Sequence, residues 1–109
     1  MKKIAVPITR NNQIEMHFGH CKFYEIYTFS NSNVILDLQL LESVQGCDAK
    51  SKLFNRLATN GVTYMLSGEI GNKALGKLKH AGIHVVRGCS GDAADTVLRF
   101  IESEISDNV

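Results

Sequence analysis

No stretch of this chain is apolar for long enough to span a bilayer. Neither sign of charge dominates. Twelve Lys and Arg against eleven Asp and Glu leave a formal charge of +1, so no strong field points to nucleic acid or an anionic membrane. Cys-x-x-Cys is missing, and the cysteines, Cys21, Cys47 and Cys89, are odd in number. Neither a disulfide framework nor a zinc ribbon is indicated, and free thiols of a reducing compartment fit better. Repeats, low-complexity segments and linkers are also absent. The opening apolar run, Ile4 to Ile8, is too short for a signal-peptide core and closes at Pro7-Ile8-Thr9-Arg10. What remains is one cytoplasmic domain over residues 1–109, with 44% hydrophobic residues and room for a modest core.

The patterning gives an order of elements. Ile4 to Ile8 reads as a buried strand with Pro7 near its end. Asn11-Asn12 is turn-prone. Lys22 to Ser30, rich in Phe, Tyr, Ile and Thr, is a second strand. Asn31-Ser32-Asn33 is a tight turn, so a third strand, about Val34 to Glu42, returns antiparallel. In it Ile35, Asp37 and Gln39 alternate with Leu36, Leu38 and Leu40. Asp48 can cap a helix with Leu53, Phe54, Leu57 and Ala58 as its apolar positions, stopped by Asn60-Gly61. Val62 to Leu66 is a strand. A helix follows over Asn72 to His80, with Ala74, Leu75, Leu78 and Ala81 on one side. Ile83 to Val86 is the last strand. The last helix has Ser90 as its cap, Asp92 and Asp95 near its positive end, and Ala94, Val97, Leu98, Ile101 and Ile105 as its stripe. The order β-β-β-α-β-α-β-α predicts one mixed α/β sheet with helices on its faces.

The chemistry concentrates in His17-Phe18-Gly19-His20-Cys21, between the first two strands. Two imidazoles and a thiol within five residues suit a transition metal better than magnesium or calcium. Gly19 lets the backbone bend between them. A polar surface turn is the alternative reading of this cluster.

Ile4-Ala5-Val6-Pro7-Ile8-Thr9, His17-Phe18-Gly19, Phe23-Tyr24-Glu25-Ile26-Tyr27, Ser67-Gly68-Glu69-Ile70-Gly71, Ala81-Gly82-Ile83 and Gly88-Cys89-Ser90-Gly91 follow one another along the chain. With these motifs in this order the chain resembles the dinitrogenase iron-molybdenum cofactor binding and biosynthesis family, small carriers and accessory domains of nitrogenase cofactor assembly. The resemblance implies a ribonuclease-H-like three-layer fold, with a five-stranded sheet of order 3-2-1-4-5 and strand 2 antiparallel. In that topology the His17 loop, Cys47, the Ser67–Gly71 turn and Cys89 collect at the carboxyl edge of the sheet, where open α/β sheets bind ligands. The implied ligand is the iron-molybdenum cofactor or an iron-sulfur precursor, an anionic cluster whose iron takes thiolate and imidazole.

The residues then divide by role. His17 matches the family's histidine and is the leading metal or cluster contact. Cys21 supplies a thiolate or turns inward as a small hydrophobe, and His20 is a third ligand candidate. Gly19, Gly68, Gly71, Ser90 and Gly91 would bring backbone N–H groups and helix N-termini to the ligand. Cys47 and Cys89 read as structural. His80 complements a helix C-terminus, and His84 reads as a core or edge histidine.

Three functions compete. The first is a non-catalytic carrier that accepts a cluster from a donor protein and passes it to an acceptor, as a monomer or weak homodimer, away from nucleic acid and membrane. The second is an enzyme. A nuclease on this sheet needs carboxylates for two metals, and Ile4-Ala5-Val6-Pro7-Ile8 has none. Cysteine-nucleophile catalysis lacks a base and its orienter. The third is a metal-free regulatory module that binds a small ligand or protein.

Overall fold

The computed structural model describes residues 2–16, 23–42 and 49–102. Eight elements follow in the expected order: β1 (Lys2–Ile8), β2 (Phe23–Phe29), β3 (Ile35–Glu42), α1 (Ala49–Thr59), β4 (Tyr64–Leu66), α2 (Asn72–His80), β5 (His84–Val86) and α3 (Ala93–Ile101). They form one five-stranded sheet of order β3-β2-β1-β4-β5. β2 runs antiparallel to both neighbours, and the β1–β4 and β4–β5 pairs are parallel. Asn33, at φ 63°, makes the turn into β3, a left-handed position that asparagine tolerates.

Alternation along β1 divides the core into two layers. Ala5 faces one side with Tyr24, Ile26, Met65 and Val85, covered by Phe54 and Leu57 of α1 and Leu75 and Leu78 of α2. Ile4, Val6 and Ile8 face the other with Tyr27, Phe29, Leu66 and Val86, covered by Ala93 and Val97 of α3. Helices thus lie on both faces. α1 and α2 end alike. Gly61 and Gly82 take φ of +84° and +86°. The next residues, Val62 and Ile83, donate their N–H groups back to Leu57 and Leu78. This is the Schellman closure, which satisfies terminal carbonyls and turns the chain into the next strand.

Two expectations are corrected. The buried face of α3 carries Ala93, Thr96 and Val97, while Ala94 and Leu98 are exposed. Thr96 can be buried because its hydroxyl donates to the carbonyls of Asp92 at 2.8 Å and Ser90 at 3.3 Å. A stripe drawn by hydrophobicity alone omits it. Ser90 is also not the cap. Asp92 is, accepting from the N–H of Asp95 at 2.9 Å. The alternation expected in β3 holds from Asp37 on and is broken at Ile35 and Leu36 by a register shift against β2, and Leu36, Leu38 and Leu40 are all exposed. The core on the α3 side takes in no β3 residue among those described.

Candidate functional site

The carboxyl edge is assembled by a strap, residues 12 to 16, that doubles back from the end of β1. Thr9 starts it: its hydroxyl accepts from the N–H groups of Asn11 and Gln13. Asn12 then takes φ 60°. β4 pairs with β1 only at Ile4 and Ala5, so beyond that point the strap packs along β1. Ile14 bridges Ile8, and the N–H of Glu15 donates to the carbonyl of Pro7 at 3.0 Å.

The same strap grips both βα turns. On the β5–α3 turn, Ile14 N–H donates to the Gly91 carbonyl at 2.8 Å, and Ala93 N–H donates to Asn12 at 2.9 Å. On the β4–α2 turn, Glu69 N–H donates to the Met16 carbonyl at 2.9 Å. The turns are tied to each other as well, by Cys89 N–H to Ser67 and Gly88 N–H to Gly68. Gly68 is where the contact is tightest. A Cβ there would lie 2.9 Å from Met16 Cα, so only glycine lets the two backbones meet. Met16, the residue before His17, is therefore fixed against the Gly68–Gly71 turn.

The two helix starts on this edge differ electrostatically. Gly71 caps α2 with no side-chain hydrogen bond, and the first turn of α2 holds no acid. Among the described residues, a Cβ at Gly71 would meet nothing within 4 Å. A helix start of this kind carries partial positive charge. At α3 the Asp92 carboxylate fills that role, and Asp95 adds a second negative charge in the first turn. This charge reaches Tyr27. Burial first, then the hydrogen bond to Glu25 and the charges of Glu25 and Asp92, raise the Tyr27 hydroxyl well above its ordinary range. Ser67, just past β4, is fully buried, and its hydroxyl has no partner among the described residues.

Of the residues singled out in the sequence, Gly68, Gly71, Ser90 and Gly91 come together on this edge. Gly68 is buried, and the other three are exposed. His17, Gly19, His20, Cys21 and Cys47 lie outside the described residues. Cys89 is buried beside Val86, with its thiol 3.7 Å from that carbonyl, as expected of a structural cysteine. His80 ends α2 and His84 begins β5, both away from the carboxyl edge. His84 is exposed and stacks edge-on to Tyr64 at 5.8 Å. Among the described residues no three His, Cys, Asp or Glu side chains could hold a metal ion. The strap was missed by sequence reasoning. Its one local signal is Thr9 before Asn11-Asn12, which marks a turn but not its destination.

The sequence matches the family described as dinitrogenase iron-molybdenum cofactor over residues 1–103. An uncharacterised protein of Methanocaldococcus jannaschii is 27% identical over 109 residues, covering 96% of this chain and 90% of its own. The orange protein of Desulfovibrio gigas, solved in its apo form, is similar with a TM-score of 0.79 and 20% identity, over 100% of this chain and 94% of that one. A second M. jannaschii protein, described as a candidate dinitrogenase, reaches a TM-score of 0.76 at 18% identity, over 95% and 91%. At such identities these structures share the fold.

Proposed function

The chain belongs to the dinitrogenase iron-molybdenum cofactor family, and from that premise we propose that it is a non-catalytic carrier. It holds an iron-molybdenum or related iron-sulfur cofactor at the carboxyl edge of its sheet, takes it from a donor protein and yields it to an acceptor. The observation that carries this reading is the contact of Met16 with Gly68. It holds Met16, the residue before His17, against the turn that leads into the N-terminus of α2. An anionic cluster gains from that helix start, and its iron gains from imidazole and thiolate. His17, His20 and Cys21 are the proposed ligands, while Gly19, Gly68, Gly71, Ser90 and Gly91 supply close backbone approach. A carrier must release its load, so ligation by a few side chains in one segment suits transfer better than a closed cage.

The test is anaerobic reconstitution with iron and sulfide, and separately with extracted iron-molybdenum cofactor, on wild type and His17→Ala. Metal content, visible absorption and EPR are read on each. The expected result is a stoichiometric signal in the wild type that the variant loses. A folded wild type that retains no metal under either condition would overturn the carrier and leave a metal-free binding module.

A further inference from the structure

The two edges of the sheet are protected unequally. β5 is three residues long, and a short edge offers little to a partner strand. β3 is eight residues long. From Val34 to Glu42 it has no Lys, Arg or Pro to blunt the edge, and its charges are Asp37 and Glu42. It also presents apolar side chains: Val34 is 57% exposed, Ile35 46%, Leu36 56%, Leu38 51% and Leu40 63%. Leu38 and Leu40 continue into a groove of about 460 Å³ that also includes Ile8 and Phe23.

We propose that this edge joins two copies of the chain, β3 pairing antiparallel with β3 about a twofold axis at Leu38. The strand's own spacing argues for a second copy. Written against itself about Leu38, it sets Leu36 opposite Leu40 and Leu38 opposite its equivalent. Leu38 and Leu40 share the sheet face of Tyr27 and Glu25, as their pairing with β2 requires, while Leu36 sits at the register shift. On the other face, Asp37 falls opposite Gln39, and Ile35, which pairs with Phe29 beyond the register shift, falls opposite Leu41 outside the regular centre. Glu42 falls opposite Val34. The two carboxylates of the strand never face one another, which avoids the cost of like charges directly opposed. Such a contact is isologous and closes on itself. The register shift between Thr28 and Phe29 bends β3 near Leu36, so Asp37 to Gln39 form the regular centre of the contact.

The test is sedimentation equilibrium from micromolar to millimolar protein, with hydrogen exchange across the same range. Leu38→Lys sets two ammonium groups on the axis at a half-exposed position, and an unchanged melting temperature verifies its fold. The wild type is expected to dimerise, with alternate β3 amides slowing as concentration rises. Leu38→Lys should weaken dimerisation roughly a hundredfold or more, through lost leucine burial and opposed charges. A wild type that stays monomeric at millimolar concentration overturns the proposal. So does a dimer that Leu38→Lys leaves intact, or one whose β3 amides exchange at the same rate at every concentration.

Discussion

α2 and α3 both follow a parallel strand, both run nine residues, and both begin on the same edge of the sheet. At α3 the Asp92 carboxylate occupies the helix start, and the strap holds Gly91 and Ala93 from behind. At α2 the cap is a glycine without a side chain, and no described atom crowds it. The first helix start is offset by its own carboxylate, and the second keeps its partial positive charge. An anion arriving at this edge meets repulsion at α3 and attraction at α2. Equal weight on Ser90-Gly91 and Gly68–Gly71, as read from the glycines alone, therefore becomes a preference for the α2 side.

The strongest way to break the α2 side is to push the strap off it. Gly68→Val places carbon against the Met16 backbone, where no flexible side chain can yield. It should cost about 1–3 kcal/mol in chemical denaturation and lose cluster retention altogether. A Gly68→Val protein that keeps both would detach the site from the strap.

A reciprocal pair of caps sharpens the contrast. Gly71→Asp fills open space and gives α2 the cap that α3 already has. Stability should rise by a few tenths of a kcal/mol, while cluster affinity falls roughly five- to tenfold from the added carboxylate. Asp92→Ala removes the cap of α3 and should cost about 1 kcal/mol, with cluster affinity rising slightly as the repelling carboxylate goes. Thermal melts and metal retention on the two variants read both effects. Equal losses of affinity would make the two helix starts equivalent.

The smallest effect is alkaline. The folded state holds the Tyr27 hydroxyl protonated past the ordinary value of 10.0. Its stabilisation is complete below about pH 10 and is lost as pH climbs from there toward the raised value. Denaturant unfolding across the alkaline range should show this decline. Tyr27→Phe should flatten it, at a neutral-pH cost of about 0.5–1.5 kcal/mol for the lost bond to Glu25. Asp92→Asn should flatten it less, because that charge is the least of the causes.

Much of the fold was legible because its signals are local. The span of α2 follows from Asn72, the Leu75–Leu78 spacing and Gly82, and the structure returns the same limits. The cap and stripe of α3 were misjudged together. Ser90 precedes Gly91, whose φ of +91° breaks the chain direction before the helix can start. Helix phase is then set by Asp92, which brings Thr96 inward. Leu38 and Leu40 of β3 alternate as expected, yet alternation does not say which face a neighbour covers. α3 lies over β1, so the far edge of that face is left bare. At the site, the glycines announced themselves, but the reason for Gly68 is the Met16 backbone, fifty-two positions earlier in the chain. No windowed reading reaches that far.

The junction of β1 with β4 has one more consequence. β1, β2 and β3 build a three-stranded antiparallel unit, and the elements from α1 to α3 build the alternating helices and short strands. The sheet joins them through two paired positions, Ile4 with Tyr64 and Ala5 with Met65, and the strap crosses the same seam at Gly91 and Glu69. A load gripped between strap and βα turns would rivet the halves together. By mass action, a ligand at a hundred times its dissociation constant adds about 2.7 kcal/mol to the folded state. Delivery of the load would then return the chain to a looser, more readily opened form, so that a laden and an emptied molecule differ in lifetime as well as in content.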